Sequence, residues 1–400
     1  MKYRINPKNG DKLSVLGYGC MRFGGDSLAK SFAGGFDKKK AEQLIVSAVE
    51  HGINYFDTAY IYAGSEEILG NTLKKHNLRD NVYIATKMPL IMCKKAEDLD
   101  KYFDVHLKRL QTDYIDYYLL HMLNDMKTWN TLCEWGIREW IEKKKTSGQI
   151  HNFGFSFHGS QAEFMNLLEA YDWDFCQIQY NYSDQNYQAG VKGLKAAAAK
   201  GMPVMIMEPL LGGKLAKNLP EGAVERFKKA KPEFSPAAWG FRWLYNQPEV
   251  TVVLSGMNEM EQLQDNIQIA ETAGQNILTE DELAAISDVK EMFDRAYKVH
   301  CTGCHYCMPC PAGVDIPSCF TAYNTRHSIS KSQGWLQYCM STMLNDKPSY
   351  ASLCIKCGKC EKHCPQNLPI RQKLEEVCKD FEGVRFKLMK RIVPIFVKKK

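Results

Sequence analysis

The carboxyl-terminal quarter of the chain contains two runs of closely spaced cysteines. The first reads CTGCHYCMPCP over residues 301–311, and the second reads CIKCGKCEKHCP over residues 354–365. Of the 15 cysteines in the 400 residues, four precede residue 300, namely Cys20, Cys93, Cys133 and Cys176. A disulfide framework would spread its cysteines along the chain, whereas clustered thiols in a reducing compartment hold metal or carry out redox chemistry. The two runs therefore predict a metal or redox centre.

The spacing within the runs favours iron–sulfur clusters over a single metal ion. Residues 354–365 follow C-x2-C-x2-C-x3-C-P, the pattern that binds a [4Fe-4S] cluster, and the first run is one residue shorter between its last two cysteines. Structural zinc is the alternative, but zinc sites pair two C-x2-C turns across about 15 to 20 residues. The predicted metal ligands, for two [4Fe-4S] clusters, are Cys301, Cys304, Cys307, Cys310, Cys354, Cys357, Cys360 and Cys364.

Length and charge narrow the class of protein. A chain of 400 residues predicts one large domain and one small domain, or two domains of ordinary size. The amino terminus has no apolar export segment, and no run of about 18 apolar residues occurs, so we expect a cytoplasmic protein without a membrane span. The net charge is +6, with seven basic side chains and no acid from Arg385 to Lys400. That basic tail is either solvated or contacts a partner or membrane surface, and nothing in the sequence predicts nucleic-acid binding.

The first 290 residues read as repeated βα units. Short runs rich in Val, Ile, Phe and Tyr alternate with helical stretches such as KKKAEQLIVSAVEHG, which Gly52 terminates. Eight units, counting LGYGCM as the first strand, predict an α/β fold with a closed (β/α)8 barrel. A doubly wound dinucleotide-binding sheet is the alternative, but GYGCMRFGG has Arg22 where the third glycine of G-x-G-x-x-G belongs.

Polar residues stand at the ends of the predicted strands. In chain order these residues are Asp57, Lys87, His121, Ser156, Gln179, Glu208 and Ser255. The first four are spaced by 30, 34 and 35 residues, which suits one strand, one helix and two loops. Because the active site of a barrel forms at the carboxyl ends of its strands, we expect these side chains to meet there.

The motifs around these residues resemble those of the aldo-keto reductases. YFDTAYIYAGSEEILG is similar to the family pattern of an Asp, a Tyr five residues later and a following Ser-Glu pair, and ATK and LLH match the next two elements. The resemblance covers residues 1 to about 275 and extends through GFS, QIQYN, MEPLLGGKL and SGMNEMEQLQDN. It implies a catalytic tetrad of Asp57, Tyr62, Lys87 and His121 at the mouth of the barrel.

The four residues also fit the chemistry of carbonyl reduction. Hydride addition leaves an oxyanion that must gain a proton, and a tyrosine with a pKa of about 10 needs a nearby ammonium to stabilise its phenolate. Lys87 supplies that charge, Asp57 holds Lys87, His121 donates to the substrate oxygen, and Tyr62 is the general acid. Each residue alone has an ordinary structural explanation, but the four together favour catalysis.

The resemblance further implies a nicotinamide cofactor, either NADPH or NADH. It places Ser156 and Gln179 at the nicotinamide carboxamide and the SGM loop with the following helix around the adenosine phosphate. The expected cofactor contacts are Ser156, Gln179, Met207, Glu208, Leu210, Ser255, Gly256, Met257, Gln262, Asp265 and Asn266.

Three of these positions depart from the family pattern. Met207 stands where many relatives stack an aromatic ring on the nicotinamide, and its side chain is polarizable but not flat. Gly256 and Gln262 stand where relatives often carry the Lys or Arg that binds a 2′-phosphate. The charge argument for NADPH is therefore missing, although Asp265 and Asn266 can still bind adenine.

Over its whole length the chain resembles aldo-keto reductases that carry a carboxyl-terminal ferredoxin-like domain. We expect a barrel over residues 1–290, a small, mainly α-helical iron–sulfur domain with a helical insert over 291–380, and a basic tail over 381–400. In two-cluster ferredoxins the fourth cysteine of each run binds the other run's cluster. The resemblance thus implies that Cys310 binds the cluster of the second run and Cys364 binds the cluster of the first run. If the shorter first run prevents this, we expect Cys310 to bind the cluster of its own run or Cys319 to replace it.

Two classes of function fit these features. The first is an oxidoreductase that reduces a small-molecule carbonyl, with the clusters as an electron port to a partner such as a ferredoxin or a flavoprotein. The second is a redox sensor or electron carrier in which the barrel binds a partner. Because nicotinamide transfers two electrons together and a cluster accepts one, a flavin normally mediates, but the sequence has no flavin motif. Substrate choice is expected to depend on GGDSLAKSFAGGF and on the helical insert.

Overall fold

A computed structural model of the chain describes residues 1–23, 37–217, 219–328, 330–343 and 347–397. The segment GGDSLAKSFAGGF, to which substrate choice was ascribed, and the last three lysines lie outside the described residues. The chain divides into two compact units. The first consists of Met1–Leu210 and Ala237–Leu278, and the second consists of Leu211–Pro236 and Thr279–Lys400.

Ten strands in the described residues all belong to the first unit. They are β1 (Tyr3–Ile5), β2 (Lys12–Ser14), β3 (Leu16–Gly19), β4 (Tyr55–Asp57), β5 (Tyr83–Met88), β6 (Ile115–Leu120), β7 (Ile150–Phe157), β8 (Phe175–Gln179), β9 (Val204–Met207) and β10 (Val250–Ser255). Strands β3 to β10 pair in parallel, and β10 pairs with β3 to close the barrel. These eight strands are the eight apolar runs of the sequence, so the predicted barrel is confirmed.

The helices of both units are numbered together in chain order. They are α1 (Lys38–Glu50), α2 (Ser65–Lys75), α3 (Glu97–Leu110), α4 (Met126–Glu134), α5 (Ile137–Thr146), α6 (Gln161–Ala170), α7 (Gly190–Ala199), α8 (Lys214–Lys217), α9 (Ala223–Ala230), α10 (Pro236–Tyr245), α11 (Met260–Glu271), α12 (Glu280–Ala296), α13 (Ile316–Ser328), α14 (Lys331–Met343), α15 (Lys359–Lys362), α16 (Ile370–Phe381) and α17 (Val384–Val397). Local chemistry sets their ends. The Asp37 carboxylate accepts hydrogen bonds from the first backbone amides of α1, and Gly52, at a φ of 85°, follows its last turn.

Side chains that alternate along the strands fill the interior of the barrel. Successive residues of a strand point to opposite faces, so every second residue faces inward. The inward residues form one buried cluster of Leu13, Tyr55, Ala85, Tyr117, Leu119, Phe175, Met205, Val252 and Leu254. Two residues beyond Tyr55, Ala85 and Leu119 stand Asp57, Lys87 and His121. The alternation that packs the core therefore also directs these three polar residues toward the barrel axis.

An amino-terminal hairpin, which the sequence analysis did not predict, closes the amino-terminal end of the barrel. Strands β1 and β2 pair antiparallel, and Leu13 of β2 enters the interior cluster. Asn6 Nδ2 donates a hydrogen bond to the Tyr117 hydroxyl over 3.1 Å. The Arg4 guanidinium donates to the Gln247 carbonyl oxygen over 2.8 Å, and burial lowers the Arg4 pKa to about 10.

The second unit is mainly helical and contains both cysteine runs. Residues 301–310 lie between α12 and α13, and residues 354–364 lie between α14 and α16. The segment between the runs, predicted as a helical insert, forms α13 and α14, which pack against each other. The core of this unit includes Phe320 and a stacked pair, Tyr338 and Phe381, whose ring centres lie 4.5 Å apart. No helix in the described part of the chain is long and apolar enough to cross a membrane.

We expect Leu13→Ala to lower the free energy of unfolding of the first unit by about 2–5 kcal/mol, because the missing side chain leaves a cavity among buried residues. Ile5→Ala is the matched control, since Ile5 lies on the same hairpin and 59% of its surface is exposed. Six of the seven tryptophans belong to the first unit, so tryptophan fluorescence during urea denaturation follows that unit. Equal losses of unfolding free energy in the two variants would show that Leu13 does not stabilise the barrel interior.

Candidate functional site

The centre of the site is the side chain of Lys87. Its Nζ donates hydrogen bonds to Asp57 Oδ1 over 2.6 Å and to the Thr58 carbonyl oxygen over 2.8 Å. The same Nζ lies 5.2 Å from the centre of the Tyr62 ring. The ammonium therefore contacts a carboxylate and lies next to the phenol that the sequence predicted as the proton donor.

His121 completes the group at the carboxyl end of β6. Its backbone amide donates to the Met88 carbonyl oxygen over 3.1 Å, which extends the β5–β6 pairing by one residue. The imidazole faces Tyr62 edge-on, with ring centres 6.1 Å apart and an interplanar angle of 89°. The structure thus brings Asp57, Tyr62, Lys87 and His121 together at one end of the barrel.

Burial shifts the protonation equilibria of two of these residues. It raises the pKa of the Asp57 carboxyl, and the Lys87 ammonium and a hydrogen bond from Gln177 oppose that rise. It lowers the pKa of His121 well below its usual range, and the charges of Lys87 and His158 add to that effect. His121 is therefore a neutral imidazole at neutral pH, able to donate one hydrogen bond and accept another.

Ser156 and Gln179, the predicted carboxamide contacts, lie near the carboxyl ends of β7 and β8. Ser156 Oγ accepts a hydrogen bond from the backbone amide of Met122 over 2.9 Å and so supports the loop that follows His121. Gln179 Oε1 accepts from Gln188 Nε2 over 2.8 Å, and Gln179 Nε2 donates to an Asp184 oxygen over 3.2 Å. Each side chain still has a donor hydrogen for a ligand.

The predicted contacts after β9 surround a turn of the backbone. Met207, Glu208 and Leu210 are half-buried, and Glu208 adopts a φ of 55°. The Glu208 carbonyl oxygen accepts a hydrogen bond from Asn181 Nδ2 over 3.3 Å. Met207 continues the inward series of Met205, so its thioether faces the same end of the barrel as Lys87.

The predicted contacts after β10 lie on a loop and the helix that follows it. Asn266 Nδ2 donates to Ser255 Oγ over 3.0 Å, and Gln262 Oε1 accepts from the Asn258 backbone amide over 3.1 Å. Met257 is buried, Gly256 is exposed and Asp265 is half-buried. Because α11 begins at Met260, its amino-terminal amides lie close in sequence to this loop, where an anion is favoured.

The eight predicted metal ligands occupy the second unit as thiols rather than disulfides. Burial raises the pKa of Cys307, and its neighbours Cys301, Cys304 and Cys364 add to the rise. Burial also raises the pKa of Cys360 to about 11, with contributions from Glu361, Cys354 and Cys310. Cys364 is thus among the groups that affect Cys307, and Cys310 is among those that affect Cys360.

No group of three or more His, Cys, Asp or Glu side chains in the described residues converges closely enough for a single metal ion. A [4Fe-4S] cube holds its thiolates farther apart than one ion does. Cys319, the replacement ligand, is fully buried in the helical core, where burial raises its pKa and Asp315, Glu382 and Cys378 are the charged neighbours. None of those neighbours belongs to a cysteine run.

Comparisons with known proteins agree with this geometry. Residues 15–291, more than half of the chain, match the Aldo/keto reductase family. The chain belongs to this family. Residues 300–368 match a 4Fe-4S dicluster domain, so this aldo/keto reductase carries an iron–sulfur domain after its barrel.

Relatives of this aldo/keto reductase are bacterial oxidoreductases. The uncharacterized oxidoreductase YrpG of Bacillus subtilis is 28% identical over 320 residues, which cover 68% of this chain and 91% of that protein. The NADH-specific methylglyoxal reductase of Escherichia coli is 23% identical over 299 residues, which cover 64% of this chain and 89% of that protein. Aldo-keto reductase AKR11C1 of Bacillus halodurans, in its holo form, is a structural neighbour with a TM-score of 0.58 and 25% identity, covering 72% of this chain and 96% of its own. The protein is therefore an oxidoreductase with a confirmed family and fold.

Gln177 is a site residue that the sequence analysis missed. Its Nε2 donates to Asp57 Oδ2 over 3.0 Å, so the Asp57 carboxylate is held by Lys87 on one oxygen and by Gln177 on the other. Gln177 lies two residues before Gln179 on β8, and the period of two along a strand gives both side chains the same inward direction. That period was the signal that could have identified it.

A buried network around Glu66 was also missed. Glu66 lies at the start of α2, where Oε1 accepts a hydrogen bond from Thr86 Oγ1 over 2.6 Å and pairs with His106 Nδ1 over 2.5 Å. Oε2 pairs with Arg109 over 3.2 Å. Burial acts to raise the Glu66 pKa, but these three partners outweigh it and lower that pKa. Because Thr86 precedes Lys87 on β5, the network ties the helix after the Tyr62 loop to the strand that carries Lys87.

Arg22 is a further cation that the sequence analysis did not assign to the cofactor site. A Cβ placed at Gly256 would lie 3.7 Å from Arg22 Cδ, so the arginine side chain lies beside the loop after β10. Its charge is therefore close to the loop predicted to hold the adenosine phosphate, although Gly256 and Gln262 carry no charge themselves.

We expect Lys87→Met to raise the pKa of His121 but to leave it below the ordinary value of about 6.5, because burial is the larger cause of its depression. Asp57 then loses its counter-charge, and burial favours its protonated form, so no bare anion remains near the imidazole. The measurement is an NMR titration of labelled histidine rings, assigned with His121→Asn. Lys108→Met, which changes an exposed lysine of α3, is the control. A His121 pKa that stays constant or falls in Lys87→Met would contradict this electrostatic coupling.

Proposed function

We propose that this aldo/keto reductase reduces the carbonyl group of a small molecule at the carboxyl-terminal end of its barrel, with NADPH or NADH as the hydride source. We propose further that residues 291–380 bind two [4Fe-4S] clusters that act as an electron port. The observation that carries the first proposal is the position of the Lys87 ammonium, which binds Asp57 over 2.6 Å and lies 5.2 Å from the Tyr62 ring.

Each polar side chain at the barrel end has a separate role in the proposed reduction. A bound nicotinamide supplies hydride to the carbonyl carbon, which leaves negative charge on the oxygen. Tyr62 donates the proton to that oxygen, and the adjacent Lys87 stabilises the phenolate that remains. Asp57 and Gln177 fix the position of Lys87, and neutral His121 donates a hydrogen bond to the substrate oxygen.

The residues after β7 to β10 fit a nicotinamide dinucleotide. Ser156 and Gln179 each retain a donor for the carboxamide, and Met207 presents an apolar surface to the ring. The loop after β10, the first turn of α11 and Arg22 offer backbone amides and a positive charge to the phosphates. Arg22 supports NADPH by its charge, whereas the E. coli relative is named NADH-specific, so both dinucleotides belong in the test.

Two clusters are supported by the way the thiols group. Cys364 acts on the pKa of Cys307 together with Cys301 and Cys304, and Cys310 acts on the pKa of Cys360 together with Cys354, so each set includes cysteines of both runs. Thiolates are the ligands that iron–sulfur clusters require. We assign Cys301, Cys304, Cys307 and Cys364 to one cluster and Cys354, Cys357, Cys360 and Cys310 to the other.

The clusters exchange single electrons, whereas hydride carries two, so the proposal includes a one-electron redox partner such as a ferredoxin or a flavoprotein. A flavin is the usual mediator between the two kinds of carrier. We assign no flavin-binding residues in this chain.

Replacing Tyr62 by Phe tests the proton donor. We expect the maximal rate of carbonyl reduction to fall by about 10² to 10⁴, because general acid catalysis is lost, while the dissociation constants of NADPH and NADH change little. Methylglyoxal and a panel of small aldehydes and ketones serve as substrates, since one relative is named a methylglyoxal reductase. Cofactor binding is followed by fluorescence.

Tyr60→Phe is the matched control, because Tyr60 lies two residues earlier and packs on Tyr102 and Arg109 rather than on the tetrad. A Tyr62→Phe rate within about tenfold of the parent, at saturating cofactor, would remove Tyr62 from the role of general acid.

Cysteine variants test the exchange of ligands between runs. About eight irons per chain are expected in anaerobically reconstituted protein, and after chemical reduction by one electron each cluster should give its own electron paramagnetic resonance signal. We expect Cys364→Ser to alter the same signal as Cys304→Ser, and Cys310→Ser to alter the same signal as Cys357→Ser. Cys319→Ala is the control and should leave iron content and both signals unchanged. If Cys310→Ser altered the signal of the Cys304 cluster, or if Cys319→Ala lost iron, the assignment would be wrong.

A further inference from the structure

The second cysteine run lies at the surface of the second unit. Cys357 is exposed, and so are most of the residues beside it in the run, namely Ile355, Lys356, Lys359, Lys362 and His363. The Ile355 side chain is 67% exposed, although it is apolar and belongs to the loop that holds the predicted cluster ligands. The run therefore presents an apolar side chain and several lysines to solvent beside an exposed predicted cluster ligand.

The second unit carries all of the net positive charge of the protein. It contains 25 Lys and Arg against 16 Asp and Glu, a net charge of +9, whereas the first unit contains 27 against 30, a net charge of −3. Within the second unit, residues 354–379 contain six basic and three acidic side chains. The exposed cysteine run therefore lies in a positive segment of a positive unit.

Part of this charge is not neutralised within the chain. Lys356 pairs with Glu375 over 2.6 Å, and Arg371 pairs with Glu361 over 2.8 Å. Lys359 and Lys362, on α15, form no ion pair with any residue that the structure describes. Both lysines are exposed, so their charges are available to a molecule that approaches the run.

A pocket in the protein surface lies beside the second cysteine run. Its volume is about 480 Å³, and Lys356, Glu361, Leu368, Arg371 and Glu375 contribute to its lining. The two ion pairs described above therefore flank it, and Leu368 adds apolar surface. A side chain of an approaching protein can enter this pocket while acidic groups around it contact Lys359 and Lys362.

We propose that residues 355–363, together with Arg371, form a docking face for an acidic one-electron carrier protein. This docking face rests on the proposed two-cluster function, because the carrier would deliver its electron to the cluster bound by Cys357. One electron would pass from the carrier to the cluster held by Cys357, with no transfer of an atom or a proton. Charge complementarity speeds such encounters, and weak electron-transfer complexes bury little surface, which suits a face of this size.

The test measures binding in the oxidised state, so that it does not depend on carbonyl reduction. The reconstituted full-length protein is immobilised, and the probes are an acidic bacterial ferredoxin and an acidic flavodoxin. We expect binding that weakens as salt rises from about 0.02 M to about 0.5 M, because screening shortens the range of the charges. The double variant Lys359→Glu/Lys362→Glu should bind at least one probe about tenfold more weakly at low salt, with unchanged iron content.

The matched control is Lys228→Glu/Lys229→Glu, which makes the same change of charge on exposed lysines of α9 in the same unit. Its affinity should stay within about twofold of the parent. Equal weakening in both double variants, or no binding of either probe to the parent, would overturn the docking face.

Binding to vesicles of anionic phospholipid is measured in the same way. Vesicle binding that depends on Lys359 and Lys362 would assign the surface to a membrane instead. A Tyr62→Phe rate of carbonyl reduction within about tenfold of the parent would overturn the catalytic proposal and leave these binding outcomes unaffected.

Discussion

The buried ion pair between Lys87 and Asp57 is the interaction on which the organisation of the barrel end depends. Their side chains are 2% and 7% exposed, and removing such charges from water costs several kcal/mol per ion unless each is fully hydrogen-bonded. The structure meets that condition, because Lys87 also binds the Thr58 carbonyl oxygen and Asp57 also binds Gln177. The pair therefore exists only where three strands and a loop hold their polar groups in fixed positions.

The rest of the first unit supplies that rigidity from two directions. Behind the strands, the Glu66 carboxylate joins Thr86, His106 and Arg109, which fixes the start of α2 against β5. Below the site, the interior cluster, which includes Leu13, fills the barrel. The polar residues at the strand ends therefore have no space to move into the interior. The Glu66 network joins the helix after the Tyr62 loop to the strand that carries Lys87, and the interior cluster packs beneath that strand through Ala85.

Much of this arrangement could be predicted because it repeats along the sequence. The eight strands and the residues at their ends follow from apolar runs at regular intervals, and the period of two along each strand sets which residues face inward. The hairpin could not be predicted, since β1 and β2 are three residues each and their pairing with the barrel depends on Arg4 and Leu13 contacts far along the chain. The Glu66 network could not be predicted for the same reason, because its partners are brought together by the fold. Gln177 differs, since the period of two along β8 gives it the same inward direction as Gln179 and could have identified it. The grouping of Cys364 with the first run was implied by resemblance, not by local spacing.

The two cofactor regions of the chain differ in the access that their chemistry needs. The proton transfer proposed for the barrel end requires a neutral imidazole, which burial favours at His121. It also requires a stabilised phenolate, which the nearby Lys87 ammonium would provide against the effect of burial. Electron exchange with another protein requires the opposite, namely a redox group close to the surface, and Cys357 is exposed among cations. The two units also differ in where they place charge: the first pairs the buried Lys87 with Asp57, and the second leaves Lys359 and Lys362 exposed to solvent. An exposed lysine costs little in stability, so selection for a binding partner can keep such residues where folding alone has no use for them.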